Sequence, residues 1–402
     1  MDTAGCREPY KNIVTEMRER MRKVIIIFIA AFVLIAAGLT FCLIYAINHG
    51  GINTVSVDES DLQLVNTQNV SMENITSIEI EYSSDDVVFY TSDTDELILK
   101  EYKTFIPEED ELSKVTASGN ELSIKGGRYR SNFSIKTNFI NIKNIYCKNE
   151  IYLPADYAGK IAVRTSSGNI TSNLSFHLSE FKANCNSGNV SLNEVYASSI
   201  EAASSSGNIT IQKAEGDERR ISSTSGDITV SEGSGESEFE SSSGNITVAK
   251  ASGKLTAEAN SGDIRISDSD GDKEIKTSSG NIMIRNSSGI VNISASSGEV
   301  EADIPKGAGV ISTNSGNITL ELSEVSDDIE LEASSGEVTL VLPEAAGFKF
   351  KADTSSGTIR TFFDDKLSFD EDREHASGAV GASSDTDIRI NTTSGNINVK
   401  DN

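Results

Sequence analysis

Three histidines, four cysteines and 61 acidic residues are the side chains that could carry chemistry in this chain of 402 residues. A histidine offers proton transfer near neutral pH or a metal ligand, a thiolate offers a nucleophile, and grouped carboxylates offer acid–base work or cation binding. Each needs partners at close range. His49, His177 and His375 are scattered, with no pair at ligand spacing, and no Ser-His-Asp set stands out among so many serines and aspartates. Cys147 and Cys185 have no diagnostic spacing and read as two unpaired buried thiols rather than a disulfide, while Cys6 and Cys42 fall in the N-terminal segment. A nine-residue half-period resembles calcium-binding solenoids, but the doubled glycines and regular Asp of that motif are missing. A polysaccharide lyase would need acid, base and cation-binding groups on one face together with aromatic platforms, and the sequence offers no such cluster. It therefore assigns no catalytic residue, no cofactor and no metal site.

What the sequence does hold is a scaffold. The phrase Ser-Gly-Asn-Ile recurs on twelve structural turn glycines: Gly168, Gly188, Gly207, Gly226, Gly244, Gly262, Gly280, Gly298, Gly316, Gly336, Gly357 and Gly395. Steps of about 18 to 21 residues, with one final gap roughly twice as long, are the signature of a solenoid. Serine before the glycine and Asn, Asp, Glu or Thr after it make a turn in which glycine is expected to supply a positive φ. Two residues on, every copy has Ile or Val, which starts the period-2 pattern of a strand with one buried face. Three residues before each glycine stand only Thr, Ser, Ala or Cys (Thr165, Cys185, Ser204 and so on to Thr392), as expected at an inward corner between close coils. The Asn or Asp after the glycine is expected to stack as a ladder. Weaker glycines midway, at Gly216, Gly235, Gly253, Gly271, Gly289 and Gly307, predict two short strands and two turns per coil. The fold class is thus mainly β, a right-handed parallel β-helix of about 12 coils, roughly 55 to 60 Å long at ~4.8 Å per coil.

A formal charge of −26 excludes a nucleic-acid surface, which must be basic to displace counterions from phosphate. Residues 1–23 are the exception, net positive by about two, and read as a cytoplasmic tail. Val24 to Ile47 contains no charge, and 24 residues rising ~1.5 Å each can span a hydrocarbon core of ~30 Å, so 24–47 reads as one transmembrane helix. The basic flank places the N-terminus in the cytoplasm and everything after the span outside. Residues 48–74 read as a linker or stalk and 75–402 as the solenoid ectodomain. Within it, 75–160 reads as irregular N-terminal coils, 161–361 as regular repeats, 362–387 as an acidic loop leaving the rod, and 388–402 as the final coil. Phe362, Phe363, Leu367 and Phe369 could fold that loop onto the open last coil as a cap.

The alternation at 77–102, the run Ile151-Tyr152-Leu153-Pro154, the stretch from Ile161 to Ile170 and the recurring Ser-Gly-Asn-Ile turns resemble the putative adhesin family of bacterial envelope domains, including LiaG-like proteins. The resemblance implies a surface β-solenoid of unknown function and carries over no catalytic residue. The expected function is a non-enzymatic, membrane-anchored surface interaction or cell-envelope protein whose partner is a protein or cell-wall polymer. A sensing component that signals through its tail is the alternative, and an extracellular carbohydrate-active enzyme a distant third.

Overall fold

A computed structural model describes residues 52–55, 59–128, 133–136, 139–143, 145–381 and 385–402, with side chains described for 59–128, 145–381 except Ala308, and 385–402. The expected tail, 1–23, and membrane span, 24–47, lie outside the described residues, as do Cys6, Cys42 and His49. No helix among the described residues is long and apolar enough to cross a membrane. Two compact units divide the chain, the smaller comprising residues 1–61 and 130–145. Its described part is a three-stranded sheet in which Ile52–Val55 pairs parallel, and Phe133–Lys136 antiparallel, with Phe139–Lys143.

The larger unit, residues 62–129 and 146–402, is the β-solenoid. Its strands form because alternate residues are apolar, and they pair parallel because each coil returns to the same phase. Ile228 faces Ile246, which faces Ile264, then Ile282, Val300, Ile318 and Val338. All seven are essentially inaccessible, so the core is a stack of β-branched side chains along the coil axis.

The expected two strands per coil are found at Ile264–Ser267 with Lys273–Thr277 and at Ile282–Arg285 with Gly289–Ala295, whereas the coil before them has three strand stretches. In that coil they are Ile246–Ala249, Ala251–Ser252 and Leu255–Ala259. The midway glycine marks only one of the extra corners, where Gly253, Gly271 and Gly289 have φ near +100°. The other corner is made by Lys250, Asp268 and Asn286 at φ of 47°, 49° and 48°, residue types that give no common compositional signal.

The small-residue column does face inward, and all twelve members are buried. Ala295 is 4% exposed, so Ala295→Leu is expected to cost ~1 to 3 kcal/mol through overpacking. Ser294→Leu, one residue away on the exposed face, should change stability by less than about 0.5 kcal/mol. Denaturant unfolding of both variants checks the assignment of faces, and equal effects would refute it.

Both ends depart from a simple stack. At the N-terminal end, Ser77–Tyr82 lies between Lys160–Thr165 and Glu121–Lys125, parallel to both. Asp86–Ser92 likewise pairs parallel with Ile170–Cys185 and with Cys147–Pro154. Antiparallel strands finish this end: Glu96–Lys103 on Cys147–Pro154, then Gln63–Ser71 on Glu96–Lys103. The segment expected to be a stalk therefore contributes a nine-residue edge strand.

At the other end, the last coil in sequence is not the last in space. Asp387–Ser394 is inserted between Ile318–Ser335 and Phe348–Thr354, and Ile397–Asp401 between Val338–Leu342 and Ile359–Thr361. The acidic excursion does not leave the rod. Its strands Leu367–Phe369 and His375–Val380 pair antiparallel, and the second covers Phe348–Thr354. Phe363 is buried, its ring edge-on to Phe348, Phe350 and Phe362. Arg373 closes the remaining edge: its carbonyl accepts the Ile359 N–H at 3.0 Å and its Nε donates to the Ile359 carbonyl at 3.0 Å. The excursion is a cap, as its phenylalanines suggested.

Candidate functional site

The recurring turn is built from three columns, one at the glycine, one immediately after it and one three residues before it. A Cβ placed on any of the twelve turn glycines would lie about 2 Å from a backbone oxygen of the coil beside it, in most cases that of the neighbouring glycine. Close stacking is thus the reason for glycine. The expected positive φ is found in this column only at Gly298. Immediately after the glycine, side-chain oxygens pass from coil to coil as the expected ladder. Asn169 Oδ1 accepts the Asn189 N–H at 2.9 Å, Asn189 Oδ1 that of Asn208 at 2.8 Å, Asn208 Oδ1 that of Asp227 at 2.9 Å, and Asp227 Oδ1 that of Asn245 at 2.8 Å. Asp263 accepts the Asn281 N–H in the same way, and that bond holds its carboxyl below the usual range. Three residues before the glycine, the hydroxyl or thiol of Thr165, Cys185, Ser204, Ser223, Ser241 and Thr277 accepts the glycine N–H at 2.8–3.1 Å.

Grooves open on the solvent side of this corner. One of about 690 Å³ is lined by Arg164, Ser166, Asn184, Asn186 and Ser205, and it shares Ser204, Ser222 and Thr224 with a neighbour of about 390 Å³ that reaches Ser242 and Asn260. Another, of about 570 Å³, runs past Ser296, Asn314, Ser334, Ser355 and Thr393, with Asp353 and His375 also lining it. The outward side chains beside the corner are stitched by ion pairs, between coils from Lys182 to Glu201, Arg220 to Glu238 and Lys276 to Glu258, and along one strand from Lys182 to Glu180 and Lys276 to Glu274. Exposed pairs of this kind add little stability. They neutralise stacked charges that would otherwise repel.

The profile of one family, described as Toastrack DUF4097, matches residues 75–274 and 253–400, which together span nearly the whole solenoid. The chain belongs to the Toastrack family. Solved structures with similarity to it include a putative cell adhesion protein from Clostridium sporogenes (13% identity, 84% of this chain and 98% of that one, TM-score 0.17). A putative adhesin from Parabacteroides merdae (10%, 88% and 99%, TM-score 0.25) and a putative lipid binding protein from Parabacteroides distasonis (15%, 87% and 99%, TM-score 0.24) are similar too. Overlays at these scores support neither a fold nor a function by themselves. No curated protein matches the chain.

In the Toastrack solenoid the reactive side chains singled out in the sequence are kept apart. His177 stacks on Tyr196 at 4.6 Å, and Lys213 lies over the same ring. His375 Nδ1 meets Asp353 at 2.8 Å, a contact that raises its pKa. Cys147 and Cys185 are both free thiols. Cys185 is buried as expected, whereas Cys147 is only half-buried, and burial still pushes its thiol up to about 12. Neither is activated as a nucleophile. No group of three His, Cys, Asp or Glu side chains able to hold a metal is found among the described residues.

Sequence reasoning missed the buried cations, two of them in the regular coils. Arg219 and Lys273, each 2% exposed, occupy the inward column that holds Ile200 and Leu255 in neighbouring coils. The signal was present, since both break the apolar phase of their strands. Arg219 donates to the carbonyls of Ala214 and Gly235 and to Ser237, and Lys273 Nζ donates to the carbonyls of Ser269, Gly271 and Ser288 at 2.8–3.1 Å. Desolvation lowers Lys273 to about 8 from 10.5. A lowered lysine pKa means that the charged form is disfavoured by folding. The penalty is complete below pH ~8 and is relieved as pH rises through 8 towards 10.5. Lys273→Met removes this dependence, so wild-type stability should gain on that of the variant by about 2–3 kcal/mol between pH 7 and pH 10, at ~1.4 kcal/mol per unit. Denaturant midpoints at the two pH values check it, and a constant difference would refute it.

Proposed function

We propose that this Toastrack protein is a non-enzymatic, membrane-anchored surface protein, a right-handed solenoid held outside the cell by one N-terminal transmembrane helix and presenting its flank to a protein or cell-wall polymer. One observation carries the non-enzymatic part of the reading. His177 is taken up by a stack, His375 by an ion pair and Cys185 by a turn hydrogen bond, Cys147 is a free thiol whose pKa burial raises, and polar grooves follow the coils along one corner. A rod that repeats the same corner is suited to many weak, equivalent contacts with an extended partner. The uncharged stretch Val24 to Ile47 and its basic N-terminal flank support the anchor and its orientation.

External protease on intact cells whose outer layers admit it tests the placement: the solenoid should be removed while residues 1–47 are spared, and full protection would overturn it. Co-sedimentation of the protein with isolated cell walls tests the interaction. Binding should be saturable and should survive Cys147→Ser and His177→Gln, because neither side chain is assigned a catalytic task. Turnover of wall material by the purified protein would overturn the non-enzymatic reading.

A further inference from the structure

We propose that Lys103 and Asp85 join through their side chains, forming an isopeptide bond that locks the N-terminal end of the solenoid.

The two residues meet where the stack of coils begins. Asp85 immediately precedes Asp86–Ser92, and its place in the turn is that of Gly168 in the coil beside it, because Val87, two residues on, is the partner of Ile170. At the turn glycines that follow, the adjoining coil leaves no room for a side chain. Here a carboxyl replaces the glycine, and it meets Lys103, the last residue of Glu96–Lys103.

The surroundings are dry and already organised. Lys103 is 4% exposed, Glu101 0% and Asn149 1%. Lys103 Nζ lies 3.6 Å from Asp85 Oδ2 and 3.8 Å from Glu101 Oε1, too far in both cases for a hydrogen bond. A settled charged pair would close to about 2.7–2.9 Å. Glu101 is held elsewhere: its Oε1 accepts the Ser113 N–H at 2.9 Å and the Ser113 hydroxyl at 2.7 Å, and its Oε2 accepts Asn66 Nδ2 at 2.6 Å. Asn149 Nδ2 donates to Asp85 Oδ2 at 3.2 Å, while Oδ1 of the same buried amide has no partner in the protein. The amide is therefore placed to serve the Asp85 carboxyl. Burial raises the pKa of that carboxyl, towards the acid form that an amine can attack.

These groups supply what condensation needs: a nucleophile beside a carboxyl, a proton acceptor, a donor on the carboxyl oxygen, and little water to reverse the step. Glu101 takes one proton from the Lys103 ammonium, and the nitrogen lone pair forms a bond to Asp85 Cγ. The Asn149 N–H stabilises the oxygen that becomes negative. The C–OH bond then breaks, and the oxygen leaves with the electron pair and with the proton that Glu101 returns, as water. The nitrogen gives up a second proton. One ammonium and one carboxylic acid thus yield one amide, one water and one proton, with no oxidant or cofactor. A buried ion pair must repay the desolvation of two charges, and the amide removes both. The bond ties Glu96–Lys103, the strand on which Gln63–Ser71 is laid, to the first coil.

Mass spectrometry of the denatured full-length protein reads the bond directly. The wild type is expected to be lighter than its unlinked sequence by one water, and trypsin should leave Lys103 uncut in a branched peptide that joins the Asp85 and Lys103 segments. Lys103→Arg, which keeps the charge, should have its full mass. Glu101→Gln should leave most chains unlinked, and complete linkage in it would overturn the proton-transfer role. A wild-type chain of full mass, a water lost without the branched peptide, or a branch from Lys103 to Asn149 with loss of ammonia would overturn the bond. These deciding measurements are made on the wild type, so none depends on the folding of a variant.

Discussion

Gly262→Ala is expected to destabilise the solenoid by at least about 4 kcal/mol, the range reserved for a specific structural fault. An alanine Cβ there would stand 1.9 Å from the Gly244 carbonyl oxygen, 2.6 Å from its carbon and 3.1 Å from Asn245 N, all of them backbone atoms. No rotamer change relieves such a clash. The two coils must separate, which strains the Asp263 N–H to Asn245 Oδ1 bond of 3.0 Å and the Ile264 to Ile246 pairing beside it. Gly119→Ala is the control: its Cβ would meet nothing within 4 Å, and only its φ of +62° is penalised, at about 1–2 kcal/mol. Because coils couple mainly to their neighbours, the unfolding transition of Gly262→Ala should also broaden as the halves of the rod uncouple. Equal losses at the two glycines in denaturant unfolding would show that stacking does not set the requirement.

The sequence was legible where one coil repeats the next. The Ile/Val phase, the small inward column and the Asn ladder were readable because each recurs about a dozen times against a changing background. The reason for the glycine was misread, since a close approach to a neighbouring carbonyl and a positive φ select the same residue. The extra corner was hidden because it is turned by Lys250, Asp268 and Asn286, three unlike residues. Gln63–Ser71 carried too weak an alternation to be separated from a stalk. The groove was half legible. The inward column was seen, but that its hydroxyls accept the glycine N–H depends on side-chain geometry that no spacing encodes. The order of the last coils lay beyond the pattern altogether: Ile397 satisfies the same parallel register against Val338 and against Ile359. Nothing in a repeat distinguishes an inserted coil from an appended one.

That ambiguity gives the most discriminating experiment. Ending the chain at residue 386 is expected to detach everything from about residue 343 onward, cap included. A terminal coil would take only itself away. The inserted coil instead bears neighbours on both sides, and it buries Ile388, Ile390, Ile397 and Val399 between them. Four such side chains at about 1.5–3 kcal/mol each make the layer worth roughly 6–12 kcal/mol as an upper bound. Its loss leaves Phe348–Thr354 and Ile359–Thr361 without their parallel partners, and the Phe363 cap is then attached to a coil with nothing beneath it. Limited proteolysis with mass spectrometry should therefore show cleavage throughout 343–380 while the coils from Ile170 to Val338 stay protected. The newly bare edge of Val338–Leu342, no longer screened by the cap, should cause concentration-dependent self-association. A truncated protein that remains monomeric and keeps 348–380 protected would mean that the final coil is dispensable to the layers around it, and the inserted order would have to be abandoned.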